Sequence, residues 1–307
     1  MESAQYRWHL LGAGSLGCLF AAYLQRAGIA VDLILRNAAT LDELHKNGGI
    51  TLSYNGERTT IPIEATTLDS VSAPIQHLFI CTKAQQTSTA IAAIKSKIAT
   101  DAVIVLLQNG MGVRELLQRE LPDAIILHAL STEGAYRSAR FHVTHAGHGE
   151  TLIGTVEPHD QIHAREVVQS LQCELPMSFA PDIERRLWLK LAVNSVINPL
   201  SALRRCRNGE LLHIDNIEVT VNELCNELAQ VAQAEKIDLN ADAMQIEVFR
   251  VMRATAQNKS SMLQDIEAAR TTEIDFINGF IVQRARARNL SCIAHERLLE
   301  AIHALHP

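Results

Sequence analysis

Lys190, Asn194 and Asn198 stand four residues apart in the segment LWLKLAVNSVINPLSAL. On a helix this spacing advances each side chain by about 40° from the last, so the three make one narrow polar stripe. Most remaining positions are Leu, Ala, Val and Ile, a pattern expected of a helix buried nearly all round. A buried ammonium and two buried amides are costly without partners, and a small polar ligand is the simplest partner. A lysine placed there supplies a proton and a positive charge to an oxygen on which negative charge develops. The alternative is a stripe satisfied by neighbouring helices. Pro199 counts against it, since a missing backbone N–H predicts a kink near a site.

A second set of residues points to a nucleotide. Gly12-Ala13-Gly14-Ser15-Leu16-Gly17 follows the apolar run WHLLG and opens the helical pattern LGCLFAAYLQRAG. In that context the first glycine serves a tight turn, the second lets the backbone approach a pyrophosphate, and the third allows close helix–strand packing. The helix N-terminus adds free N–H groups and a positive dipole end. The next strand, AVDLILR, ends at Arg36, followed by Asn37. An NAD site usually has an acid at that tip, whereas a guanidinium suits the 2′-phosphate of NADP. Asp32 lies inside the strand, so the expected cofactor is NADPH. Two later strand tips fall on the same edge: FICTKA reaches Lys83, and LLQNGMG reaches Asn109.

These residues need a frame. Apolar runs (WHLLG, AVDLILR, HLFICT, AVIVLLQ, AIILHALS) alternate with helical patterns through the first half, predicting βαβ units and a mainly parallel sheet. Residues 49–65 and 134–156 read as hairpins. After Pro181 the β-rich runs stop, and helices are expected over 183–203, 215–236, 241–257 and 262–289, with a short terminal helix. The fold class expected is therefore an α/β Rossmann-like dinucleotide-binding domain over 1–181, followed by an all-α domain over 182–307. The site is expected in the cleft between them, where closure excludes water.

Composition narrows the function classes. The 307 residues are 47% hydrophobic and 20% charged, ordinary for a soluble globular protein, and the net charge of −6 argues against general nucleic-acid binding. The six cysteines are scattered with no C-x-x-C pair, which fits reduced thiols in the cytoplasm. Trp8–Leu24 lacks charge and imitates a signal peptide, but its spaced glycines and the lack of a convincing cleavage site favour the nucleotide loop. No run approaches the roughly 20 residues of a membrane span. His142, His145 and His148 recur every third residue, yet they lie in a glycine-containing turn region with no cysteine nearby, and no metal is expected. Ala13 stands where a nucleophile elbow needs glycine. Arg284, Arg286 and Arg288 read as a solvated face.

GAGSLG, QNGMG at 108–112, LWLKLAVNSVINPLSAL with RNGEL at 187–211, and NKSSMLQDIEAARTTEIDFINGF at 258–280 together resemble the ketopantoate reductase family over nearly the whole chain. The resemblance implies NADPH-dependent reduction of 2-dehydropantoate to (R)-pantoate, in pantothenate and coenzyme A synthesis. It implies Lys190 as the catalytic lysine and Glu273 as a glutamate near the cofactor and the reaction centre. Asn109, Asn194, Asn198, Asn208, Asn258 and Ser261 match substrate contacts, Ser261 at the substrate carboxylate. Gly12, Ala13, Gly14, Ser15, Leu16, Gly17, Arg36, Lys83, Asn109, Ala135 and Glu273 match the cofactor side. Burial should lower the Lys190 pKa while Glu273 opposes that. The expected partner is the small-molecule substrate alone, with neither nucleic acid nor membrane, in a monomer or homodimer. Two other functions stay open: reduction of another branched 2-oxo acid, and a non-catalytic NADP-binding sensor, which would have no need of Lys190 and its asparagines.

Overall fold

Trp8–Leu11 is buried at every position, as a strand covered on both faces must be. In the computed structural model, which describes residues 6–305, this segment is β1. The chain divides into two compact units, Met1–Gln108 with Val113–Ile183, and Asn109–Gly112 with Glu184–Pro307.

The first unit continues with α1 (Ser15–Arg26), β2 (Val31–Leu35), α2 (Ala38–Asn47), β3 (Ile50–Tyr54), β4 (Glu57–Ile61), β5 (Glu64–Thr67) and β6 (Ile75–Ile80). Then come α3 (Ala84–Ile94), β7 (Ile98–Leu106), α4 (Val113–Glu120), β8 (Ile125–Ser131), β9 (Gly134–Ala139), β10 (His142–Gly147), β11 (Thr151–Gly154), α5 (Gln161–Ser170) and β12 (Met177–Phe179). The eight-stranded sheet has the order β12-β11-β8-β7-β6-β1-β2-β5. From β5 to β8 every neighbour is parallel, and β11 joins β8 antiparallel. The order reverses between β1 and β6, so their carboxyl ends flank the switch point where an open α/β sheet binds ligands.

Both expected hairpins form. Asn55 and Gly56 at φ 49 and 83 make the turn between β3 and β4, the positive-φ pair a two-residue hairpin prefers. β9 and β10 pair antiparallel, and β10 then lies parallel to β3, giving a four-stranded sheet β4-β3-β10-β9. Its core merges with that of α1: Phe141 and Val143 are fully buried in one cluster with Phe20 and Leu24.

The second unit is helical: α6 (Ile183–Arg204), α7 (Ile217–Ala234), α8 (Ala241–Ala254), α9 (Ser261–Glu267), α10 (Asn278–Ala287) and α11 (Ile293–Leu305). Trp188, Leu191, Val196, Leu224, Met244, Phe280 and Ile281 share its core. The single helix expected over 262–289 is two. The Arg270 amide donates to the Asp265 carbonyl at 2.8 Å, five residues back, and Ala269 sits at φ 50, which ends α9. Arg270 Nε holds the Asp265 carboxylate at 3.0 Å. The apolar spacing of Ile266, Ile274, Ile277 and Ile281 runs through the break because all four still face the core. Among the described residues, no helix is long and apolar enough to cross a membrane.

Candidate active site

In the sheet unit, the glycine loop joins β1 to α1 at the switch point. Gly12 has φ 108, and a Cβ there would sit 2.8 Å from the Thr82 amide nitrogen. A Cβ on Gly17 would collide with the Gly12 carbonyl, so the third glycine lets the helix rest on its own turn. At Gly14 a Cβ would meet nothing closer than the Cys81 carbonyl at 3.6 Å, which leaves the backbone open to a ligand. Gly14 is the N-cap of α1 and makes no side-chain cap hydrogen bond, so no capping side chain takes up the first-turn amides that a phosphate cradle uses. This arrangement fits a dinucleotide pyrophosphate.

The neighbouring tips carry the other expected groups. Arg36 follows β2 and is exposed, and Asn37 caps α2 by accepting the Thr40 amide at 3.0 Å. Asp32 is inside the strand, registered between His9 and Glu64, and burial pushes its carboxyl up. Lys83, partly buried, is the N-cap residue of α3. Two residues at this edge escaped the sequence reading. Gln108, the first residue of QNGMG, donates through Nε2 to the Thr82 carbonyl and to Thr87 Oγ1, each at 2.6 Å, and locks the tips of β6 and β7 together. Arg137 on β9 donates to the Ala13 carbonyl at 2.7 Å, inside the glycine loop. Only a tertiary pairing brings it there, so spacing carried no signal for it. Ala135, on the same strand, is partly buried opposite His145.

In the helical unit, α6 presents Lys190, Asn194 and Asn198 in succession. Lys190 and Asn194 are partly buried and Asn198 is 7% exposed. Burial pushes the Lys190 ammonium down to about 8, and the nearby Glu273 carboxylate opposes the shift. Glu273 is itself buried, in the stretch between α9 and α10. Asn109 lies in the 109–112 segment that belongs to this unit, where the Met111 amide donates to the Phe276 carbonyl at 2.8 Å.

The remaining polar residues form a second group. Asn208 is buried, its Nδ2 donates to Thr255 Oγ1 at 2.9 Å, and its backbone amide donates to the Asn258 carbonyl at 3.0 Å. Its Oδ1 is buried and has no hydrogen-bond partner among the described residues. Asn258 is exposed, and its own amide bonds the Thr255 carbonyl at 2.8 Å. Ser261 is exposed at the first position of α9. The neighbouring Ser260 is the cap: its Oγ accepts the Leu263 amide at 3.1 Å and the Ser201 hydroxyl at 2.7 Å. Ser201 also approaches the Asn198 carbonyl at 3.1 Å, which links the end of the α6 stripe to the start of α9.

A glycine cradle at the switch point of a parallel sheet, followed by a helical unit that carries a pKa-shifted lysine, defines a Rossmann-type oxidoreductase. Residues 8–158 match the family model for ketopantoate reductase PanE/ApbA, and residues 182–306 match the model for its C-terminal part. Among curated proteins, the 2-dehydropantoate 2-reductase of Vibrio cholerae is 31% identical over 299 residues, covering 96% of each chain. That of Shigella flexneri is 34% identical over 297 residues, covering 95% of this chain and 93% of its own. A crystal structure of a PanE/ApbA family ketopantoate reductase from Ralstonia eutropha superposes with a TM-score of 0.88 at 25% identity, covering 98% of both chains. The fold is also that of a D-mandelate dehydrogenase, with a TM-score of 0.92 at 24% identity over 98% of each chain. The chain belongs to the ketopantoate reductase family.

Proposed function

We propose that the chain catalyses the NADPH-dependent reduction of 2-dehydropantoate to (R)-pantoate, a step toward pantothenate and coenzyme A. The observation that carries this reading is Lys190, lowered to about 8 beside Glu273 at the head of the α6 stripe, in a chain whose curated relatives are named for that reaction. Gly12, Ala13, Gly14, Ser15, Leu16 and Gly17 hold the pyrophosphate, and Arg36 meets the 2′-phosphate. Lys83, Asn109, Ala135 and Glu273 complete the cofactor side. The nicotinamide, when bound, supplies the hydride for the substrate's C2.

As C2 gains the hydride, its oxygen gains an electron pair. Lys190 donates one proton from its ammonium to that oxygen, leaving a neutral amine that regains its proton from water. Its charge also stabilises the oxygen before the proton moves. Glu273 keeps Lys190 protonated against the cost of burial. Asn194, Asn198, Asn208 and Asn258 orient the substrate's hydroxyl and carbonyl groups. Ser261 hydrogen-bonds the carboxylate.

The test follows NADPH absorbance with 2-dehydropantoate beside a panel of other branched 2-oxo acids. The reading expects the highest kcat/KM for 2-dehydropantoate. A better substrate within the panel reassigns the specificity, and no turnover with any of them rejects the enzyme.

A further inference from the structure

Glu133, His145 and His148 flank the β9–β10 hairpin and take no part in the reaction proposed above, yet their ligand atoms all fall within 4.8 Å of one another. We propose that they form a binding site for a divalent transition-metal ion of the zinc type at the open end of the β9–β10 hairpin. The site rests on the sheet unit alone and is independent of the reaction proposed above.

The histidine triplet of the sequence splits in the fold. His142 Nε2 bonds Asn47 Oδ1 at 2.8 Å. His145, three residues on, faces the opposite side, where its Nε2 lies 2.8 Å from Glu133 Oε2. The third ligand is thus a carboxylate just before β9, across the hairpin from His145, that no helical or strand spacing announces. Both side chains are fully inaccessible to solvent, while His148 is exposed and gives an entry path. The His148 ring packs edge-on to His145, with centroids 4.6 Å apart.

Two observations point to a missing positive charge. Glu133 Oε2 accepts from His145 and from the Gly149 amide at 3.0 Å, but the buried Oε1 has no hydrogen-bond partner among the described residues. A half-satisfied buried carboxylate is costly, and a cation on Oε1 removes the deficit. On the other side, His145 Nδ1 lies 2.8 Å from Tyr23 Oη. Metal-bound histidines nearly always donate their second nitrogen to an oxygen in this way. With metal on Nε2, Nδ1 carries the ring hydrogen and donates it to Tyr23 Oη.

Two imidazoles and a carboxylate are the donor set of zinc, with water in the fourth position. Zinc bonds of about 2.1 Å hold ligand atoms no more than about 4 Å apart, so exposed His148 is the member that turns to close the set. Tyr54, whose hydroxyl bonds His148 Nε2, moves with it. Among the described residues a second such cluster, Glu227, Cys292 and His295, has no spare carboxylate oxygen, because Glu227 accepts the Ala294 amide on Oε1 and the His295 amide on Oε2.

The test titrates the full-length chain with Co²⁺ and Zn²⁺, reading the visible Co²⁺ spectrum and the rise in Tm. One equivalent should bind, with nitrogen–oxygen rather than thiolate bands. His148→Ala should weaken binding at least about tenfold and abolish the Tm rise, and Tyr23→Phe should weaken it about 10–100-fold, the usual effect of losing such a partner. His142→Ala should bind like the wild type. The proposal is overturned by no Co²⁺ binding, by thiolate bands, or by His148→Ala binding as tightly as the wild type. Since His148 is exposed, its replacement leaves the fold intact, and circular dichroism checks this.

Discussion

The side chain of Asn278 fills a hydrogen bond that Pro199 deletes. Proline has no N–H, so the carbonyl four residues back, that of Ser195, loses its helical donor. Asn278 Nδ2 donates to that carbonyl at 3.0 Å. Its other hydrogen goes to His295 Nδ1, also at 3.0 Å. His295 Nε2 faces the Leu224 carbonyl at 3.0 Å, which can only accept, so Nε2 carries the proton and Nδ1 is the acceptor. Burial pushes the His295 imidazole down to about 4, in keeping with this neutral tautomer. The carbonyl so satisfied lies between Asn194 and Asn198, and α6 stays continuous through Pro199.

From this pairing, Asn278→Ala is expected to cost about 1–3 kcal/mol of unfolding free energy, the scale for stranding buried polar groups. Pro199→Ala returns an amide to the Ser195 carbonyl. The cost of Asn278→Ala should therefore shrink by about 1 kcal/mol in that background. Urea denaturation of the two single variants and the double variant measures the coupling. Additivity within about 0.5 kcal/mol would show that Asn278 does not replace the missing donor.

The adjacent serines separate by role. Ser260 caps α9, so Ser260→Ala should lower stability by about 1 kcal/mol. Ser261 is exposed one residue further and carries the proposed carboxylate contact. Ser261→Ala should leave stability unchanged and raise the KM for the keto acid, with NADPH affinity nearly intact. Denaturation and steady-state kinetics on both variants decide the matter. A KM effect from Ser260→Ala alone would move the contact to the neighbour.

Where local patterns and tertiary packing agree, the sequence was readable. The strand–glycine–helix start at Trp8, the Asn55–Gly56 turn and the polar stripe on α6 each follow from residues close in sequence. Nonlocal pairing hid the rest. The parallel union of β3 and β10 unites residues about ninety apart, Arg137 on β9 reaches the distant Ala13 carbonyl, and Glu133 meets His145 only once the β9–β10 hairpin closes. The break at Ala269 was hidden because the core takes isoleucines at helical spacing from both sides of it. In the SSM stretch, two serines with equal claims by composition are distinguished only by which hydroxyl reaches the Leu263 amide.

Arg36 should set cofactor choice. It is exposed just beyond β2, and the acid in that strand, Asp32, is drawn inward between His9 and Glu64. Arg36→Ala should lower kcat/KM for NADPH about tenfold or more, since a charge-assisted phosphate contact is worth about 1.5–3 kcal/mol. NADH should be little affected. An unchanged ratio between the two cofactors makes Arg36 a bystander.

Lys190 should impose an alkaline limit on catalysis. Its protonated form is the proposed donor and burial lowers it to about 8, so kcat should fall as pH rises through about 8. Glu273 raises the Lys190 pKa, so Glu273→Gln should move that limb to lower pH. Lys190→Ala should cost about 10²–10⁴ in turnover, the range for a positioned proton donor. Stability gives an independent reading of the same group. A lysine at about 8 when folded and 10.5 when unfolded leaves the native state with fewer bound protons between those values. The unfolding free energy contributed by Lys190 must therefore rise with pH across that window, because burying the charge is costly below it. Lys190→Met should remove the slope and be favoured most at pH 7, which denaturation at pH 7 and pH 10 measures. A folded Lys190→Ala with near-normal turnover would falsify the assignment. A wild-type stability profile that is flat from pH 8 to 10.5 relative to Lys190→Met would place the ammonium in water.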